Sequence, residues 1–319
     1  MSSDELQTAP DVSSLARSMV QDACVSIGPY RIPSSFPNEA VALFRDLSVR
    51  WNEAAGIGVA VPLPSHDDLA IFYRLHYRPL MNKEQGLARY ITSPNHRAQA
   101  KSQLDWVDPW LPGRGEWLDV GAGYGLLLWE VHRRFPGWLL SALEPDRNAR
   151  SDLASLAKVE TATDEFWDAA RPAQRWWDVV SASHVLEHLR DPWAGLLRLT
   201  EHVRPGGLLL LEVPNESLAT LRRSDRANDL PHLWFFSPQG LERLVARAGM
   251  EVLRSGTIGL ERPWAKRPVT RRLLRRIRRL TAGPLSRLDD RSWYAEGPER
   301  DAARVICRKP IPDPDRSER

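Results

Sequence analysis

The stretch Trp117-Leu118-Asp119-Val120-Gly121-Ala122-Gly123-Tyr124-Gly125 is an apolar run that breaks into alternating glycines. That order predicts a strand, a tight turn and then a helix over about Tyr124–Phe135. Glycines suit such a turn because they adopt left-handed backbone freely and let the chain lie flat against a ligand. Leu139–Glu144 reads as the next strand, with Glu144 at its carboxyl end. In an open α/β sheet an acid placed there can bind the two hydroxyls of a ribose, while the first turn holds the rest of a nucleoside.

The glycine spacing discriminates among nucleoside cofactors. A dinucleotide fold uses G-x-G-x-x-G, with a helix amino terminus facing the pyrophosphate. Here the spacing is Gly121-x-Gly123-x-Gly125, and Asp119 precedes it. A carboxylate would repel a pyrophosphate but would pair with the ammonium of a methionine moiety. The pattern resembles that of the class I S-adenosylmethionine (SAM)-dependent methyltransferases. The resemblance implies SAM as the cofactor, with Gly121, Gly123, Tyr124 and Glu144 holding it and Asp119 at the methionine end. It places Pro145 on the adenine side and Ser183 near the methionine moiety.

Further strands are expected at Lys158–Thr161, Trp177–Ser183, Gly207–Val213, Glu251–Ile258 and Ala303–Arg308, with helices at Asn148–Leu156, Pro192–Val203 and Pro238–Ala248. This alternation predicts an α/β fold with a doubly wound, mostly parallel, seven-stranded sheet. The last two strands lack an obvious crossover and are expected to pair antiparallel, as in the methyltransferase class. Trp177-Asp178-Val179-Val180-Ser181-Ala182-Ser183-His184-Val185-Leu186-Glu187-His188 resembles the fourth-strand signature of small-molecule methyltransferases. Arg204-Pro205-Gly206-Gly207 and Glu212-Val213-Pro214-Asn215 resemble their fifth, and His232-Leu233-Trp234-Phe235-Phe236-Ser237 their approach to the last helix.

Members of that group acting on sugars and on natural-product or glycan intermediates often begin with a cysteine zinc ribbon, then a P-x-P-S stretch and a tyrosine-rich segment. Val61-Pro62-Leu63-Pro64-Ser65 and Tyr73-Arg74-Leu75-His76-Tyr77 resemble the latter two. Of the ribbon's ligand positions, Cys24 survives, whereas Asn52 and Ala55 stand where cysteines would be. A structural zinc site needs four ligands, so the region is expected to be a metal-free remnant. The expected division is a disordered tail over 1–20, an acceptor-side domain over 21–99, a SAM domain over 100–310 and a second tail over 311–319.

Methyl transfer from a sulfonium requires alignment of acceptor and methyl group, and removal of a proton from the acceptor. His232, His184, Glu187 and His188 are the candidate catalytic groups; His76 and Tyr77 are candidate acceptor contacts. His184 and His188 would share a face if their segment were helical. His184–His188 also spells H-x-x-E-H, a zinc-peptidase signature, which its place at the end of a predicted parallel strand argues against. No metal is expected. Related sugar C-methyltransferases carry Glu-His where this chain has Pro231-His232. Losing that acid disfavours proton abstraction from carbon and favours O-methylation of a sugar or other polar metabolite. A sugar C-methyltransferase and a non-catalytic SAM-binding protein remain alternatives.

The chain has 319 residues, 42% hydrophobic and 27% charged, with two cysteines. These values fit a globular protein of a reducing compartment, and the acidic amino terminus is unlike a signal peptide. A cytoplasmic location is expected, peripheral to the inner membrane face if the basic segment binds lipid. Nine of the 44 Lys+Arg lie in 262–280, leaving 35 against 41 Asp+Glu elsewhere. The basic charge is thus local, which argues against DNA as a partner. Arg271–Leu280 would place Leu273, Leu274, Ile277 and Leu280 on one helical face within a basic insertion over 262–300. It could contact an anionic membrane surface, clamp a phosphorylated or lipid-linked sugar acceptor, or cap the domain.

Overall fold

The computed structural model describes residues 24–31, 38–77, 86–160, 175–223, 232–261, 293–296 and 301–312. The front of the chain contributes β1 (Val25–Pro29), α1 (Asn38–Ala42), β2 (Ser48–Asn52), β3 (Ile57–Val61) and α2 (His66–Phe72). A π-helical turn, Tyr73–Tyr77, follows, then α3 (Gly86–Thr92) and α4 (Pro94–Val107). The alternating part begins with β4 (Glu116–Val120), α5 (Leu126–Arg134), β5 (Leu139–Leu143), α6 (Arg147–Leu153) and β6 (Lys158–Glu160). It continues with β7 (Trp177–Ser183), α7 (Pro192–His202), β8 (Val203–Pro214), α8 (Leu218–Arg222), β9 (Trp234–Phe236) and α9 (Pro238–Arg247). It closes with β10 (Glu251–Glu261), β11 (Trp293–Glu296) and β12 (Ala302–Arg308).

The large sheet has the order β11-β10-β12-β8-β7-β4-β5-β6. From β6 to β8 neighbouring strands are parallel, whereas β12, β10 and β11 each pair antiparallel. The seven expected strands are present, and β11 is an eighth. The chain winds outward from β4 in one direction and from β7 in the other. Between these two strands lies the switch point whose carboxyl ends bind ligands in open α/β sheets.

Apolar side chains face both sides of the parallel strands, as burial on two faces demands. In β8, Leu209 and Leu211 join one core cluster and Leu208 and Leu210 the other. The second cluster lies under α4, α5 and α6, with Leu104, Leu128, Val131 and Leu153. The first runs without a break from β4, β7 and β8 into the front of the chain, where it takes in Phe44, Val49, Trp51, Ile57 and Phe72.

Front and back also share a sheet. β1, β2, β3 and β9 form a four-stranded antiparallel sheet, with Ile57 opposite Phe236 and Val59 opposite Trp234. The boundary near residue 100 is therefore a boundary in sequence, while β9 crosses it in space. At the turn between β2 and β3, the Asn52 side chain accepts the Ala55 amide at 2.9 Å and its carbonyl accepts the Gly56 amide at 2.8 Å. An amide side chain closes this turn at a position where the resemblance would have a cysteine. The turn rests on the amino end of α9, where Ser237 Oγ donates to the Gly56 carbonyl and accepts the Gly240 amide, both at 3.0 Å.

Among the described residues no helix is long and apolar enough to cross a membrane. The arginine-rich segment Arg271–Leu280 and Pro231 lie outside the described residues.

Candidate active site

The glycine turn is fixed by its neighbours. Gly121, Gly123 and Gly125 have φ of +70°, +55° and +78°. A Cβ on Gly125 would lie 2.1 Å from Leu153 Cδ2, and one on Gly121 would lie 2.6 Å from Val185 Cγ2. A Cβ on Gly123 would meet nothing within 4 Å. Two of the glycines thus serve close packing, and Gly123 leaves its face open to a ligand. Glu144 follows β5 and is 3% exposed. Its Oε2 accepts the Gly123 amide at 2.6 Å and its Oε1 the Asp146 amide at 2.9 Å. Two backbone donors hold the carboxylate at the strand end beside the open glycine, the arrangement a ribose diol needs. Pro145 is exposed next to it and Tyr124 is buried in the turn.

Asp119, on β4, is buried and accepts a hydrogen bond from Ser181 Oγ at 2.6 Å; Trp117 Nε1–H donates to that same Oγ at 2.8 Å. Burial raises its carboxyl, the Ser181 hydrogen bond lowers it and nearby Glu144 raises it, leaving it at about 7. An ammonium brought beside Asp119 would restore its charge. The open Gly123, the anchored Glu144 and the buried Asp119 together fit the ribose and methionine ends of SAM.

Beyond β7 the chain does not form the helix that would align His184 with His188. His184 takes a left-handed backbone (φ 55°), and Leu186–His188 is a 3₁₀ turn. Both histidines approach Glu187 Oε1, but beyond it His184 turns to Glu212 and His188 to His232. His184 Nδ1 lies 3.1 Å from Glu187 Oε1 and its Nε2 lies 3.5 Å from Glu212 Oε1. Burial lowers its pKa, but the hydrogen bonds to Glu187 and Glu212 outweigh this and raise it to about 10. With each nitrogen turned to a carboxylate, the protonated form of His184 is favoured, which suits a positioning role on the wall of the site. Ser183, next to it, accepts from Gln103 Nε2 at 2.9 Å and so is tied to α4.

Glu212 and Arg304 are fully buried and face each other across β8 and β12 in register. Arg304 Nε donates to Glu212 Oε2 at 2.6 Å and its Nη1 to Ser102 Oγ at 3.0 Å. Gln99 Nε2 donates to Glu212 Oε1 at 2.8 Å. Burial raises the Glu212 carboxyl, but Arg304 and His184 overcome this and hold it well below the usual carboxylate range. Gln99, Gln103 and Arg304 were not among the residues singled out from the sequence, and Glu212 appeared there only within a fifth-strand motif. Their one legible sign is a lone charge inside each of two apolar strands, Leu208–Val213 and Ala302–Cys307.

His188 faces the other way, toward His232. Their ring centroids are 4.8 Å apart at 64°, and His188 Nε2 is 3.9 Å from Glu187 Oε1. His232 is held by its backbone: Tyr30 Oη donates to its carbonyl at 3.0 Å, and the Leu233 amide donates to the Glu187 carbonyl at 2.8 Å. Among the described residues Glu187, His188 and His232 form a group that could hold a metal, their ligand atoms within 4.8 Å of one another. The π turn covers His188: Tyr73 and Tyr77 approach its ring edge-on at 6.4 and 6.3 Å. Burial, with Tyr77 and Glu187 adding to it, raises the Tyr73 hydroxyl well above its usual value. His76 packs on Phe72 at 6.3 Å.

The profile of a family described as "Methyltransferase domain" matches residues 95–255, half of the chain. The chain belongs to this family: it carries a SAM-dependent methyltransferase domain, and its cofactor is SAM. Among its relatives, a ubiquinone biosynthesis O-methyltransferase of Thiobacillus denitrificans is 30% identical over 165 residues, 47% of this chain and 70% of that protein. A tRNA U34 carboxymethyltransferase of Methylococcus capsulatus is 32% identical over 176 residues, 49% of this chain and 52% of that one. A biotin biosynthesis bifunctional protein of Bordetella avium is 35% identical over 107 residues, 32% of this chain and only 22% of that protein.

Proposed function

We propose that this protein is an O-methyltransferase acting on a hydroxyl of a sugar or another polar metabolite, in glycan or natural-product biosynthesis. The observation that carries this reading is the Glu187–His188–His232 group, set beyond the carboxyl end of β7 and covered by Tyr73 and Tyr77 from the front of the chain. The proton acceptor belongs to this group, with His232 its foremost member. Its carbonyl accepts from Tyr30, and the next residue, Leu233, donates its amide to the 3₁₀ turn and accepts the Ala60 amide of β3 at its carbonyl, which holds the residue in place. A hydroxyl is a less demanding acid than a C–H bond, and one histidine suffices for it. The O-methyltransferase among the relatives supports the same direction.

In this reading the hydroxyl oxygen displaces S-adenosylhomocysteine from the methyl carbon in line, and its proton passes to the group around His232. SAM supplies the activated methyl. The chain aligns the reactants, His184 and Glu212 fix the wall of the site, and the tyrosines exclude water. The acceptor is a small molecule, phosphorylated or lipid-linked if the arginine-rich segment contacts it, and DNA is not a partner.

Transfer of labelled methyl from SAM into fractionated cell extract tests the reading. Label in nucleotide sugars or lipid-linked glycans is the expected result, and label following the lipids would give the arginine segment a role at the membrane. Label confined to RNA or protein refutes it.

A further inference from the structure

The H-x-x-E-H sequence does not form a metal site by its own spacing, because His184 is turned to Glu212. The fold nevertheless brings a second histidine to Glu187 and His188. His232, 44 residues beyond His188 in sequence, reaches them because β9 pairs with β3 and the Leu233 amide is bonded to the Glu187 carbonyl. The three side chains place ligand atoms within 4.8 Å of one another.

Glu187 gives the cluster its second observation. The residue is 0% exposed, and its Oε1 faces His184. Its Oε2 is buried with no hydrogen-bond partner among the described residues. A carboxyl oxygen left this way in a protein interior is costly unless something cationic or hydrogen-bonding meets it. The cluster lies under the edges of Tyr73 and Tyr77, which contribute apolar walls around it.

We propose that Glu187, His188 and His232 form a site for a first-row divalent metal ion of the zinc or cobalt type. Two imidazoles and one carboxylate are a borderline donor set, which suits such ions better than magnesium or calcium. Three protein ligands leave a fourth position open, the hallmark of a site that takes a substrate or solvent oxygen. With bonds of about 2.1 Å, tetrahedral ligands stand roughly 3.4 Å apart, so the side chains need only rotate by about an ångström to close on an ion.

This deepens the O-methyltransferase reading and rests on it. Here His232 serves as a ligand in place of the base: the acceptor hydroxyl would occupy the fourth position and lose its proton to solvent, because coordination lowers its pKa as it lowers that of water. The alkoxide oxygen then forms a bond to the methyl carbon while the carbon–sulfur bond breaks, giving the methyl ether and S-adenosylhomocysteine. The acceptor class follows: a hydroxyl that can reach a metal ion.

The test uses untagged full-length protein treated with chelator and titrated with Co²⁺ alone, with the visible absorption of the ion as the readout. One equivalent of Co²⁺ binds with the intense bands of a four- or five-coordinate site, and Zn²⁺ displaces it. Glu187→Gln and His232→Ala each weaken the site by more than about tenfold. His232→Cys keeps one equivalent and adds a near-ultraviolet sulfur-to-cobalt band. Calorimetry with SAM is run on every variant to separate misfolding from ligand loss. SAM binding without a stoichiometric Co²⁺ site overturns the metal proposal and leaves the methyltransferase reading standing. A site that persists unchanged in His232→Ala also overturns it. Label transfer confined to macromolecules, by contrast, removes the O-methylation reading itself.

Discussion

Asp119→Asn separates the cost of the cofactor site from its benefit. The carboxyl stands at about 7 in the folded protein, against 3.8 for the free side chain. That gap of about three units is worth roughly 4 kcal/mol at 1.36 kcal/mol per unit. Below pH 3.8 both folded and unfolded chains hold the proton, and the group contributes nothing. Between 3.8 and 7 the folded protein keeps a proton that the unfolded chain has lost. Stability therefore falls as pH rises through this window and the loss is complete above about 7. Asparagine has nearly the same shape, can still accept from Ser181 and carries no charge. The ligand-free variant is expected to match the parent at pH 4 and to exceed it at pH 8, by up to about 4 kcal/mol in denaturant melts. SAM binding runs the other way. The parent binds more tightly as pH rises through about 7, until the cofactor's own amino group deprotonates near 8. The variant loses that dependence and binds roughly 10- to 150-fold more weakly, as loss of a charged hydrogen bond of about 1.5–3 kcal/mol implies. Equal destabilisation at both pH values, or parental SAM affinity that is flat from pH 6 to 7.5, refutes the assignment of Asp119 to the methionine ammonium.

Gly125→Ala combines a φ of +78° with an overlap on Leu153, and is expected to cost roughly 2–4 kcal/mol by chemical denaturation, with SAM affinity lost in the same range of denaturant. Arg304→Met strands the buried Glu212 charge and is expected to cost about 3–5 kcal/mol, much of which Arg304→Met with Glu212→Leu recovers; additive losses in the double variant would disprove the pairing. His232→Ala is expected to lower turnover by more than about tenfold with SAM affinity within about twofold, and a smaller fall removes His232 from the reaction.

The glycine turn, Glu144 and the order of strands were legible in the sequence because each is set locally. Positive φ favours glycine, strand ends follow from short apolar runs, and helix starts carry their caps, as Asp146, Asp191 and Ser237 do. The Glu187–His188–His232 group was legible only as separate candidates. His184 and His188 sit four apart, and whether they cooperate depends on the backbone between them, which is a left-handed residue and a 3₁₀ turn where a helix would have aligned them. The pairing of His188 with His232, the covering tyrosines and the Glu212–Arg304 pair each join segments distant in sequence, through the β3–β9 and β8–β12 ladders. The sequence by itself determined the glycine turn and the acids beside it, because they are built from one turn and the strands next to it. Only the tertiary structure decided which titratable groups meet, because a charge's role depends on what is packed against it, and nothing local specifies that.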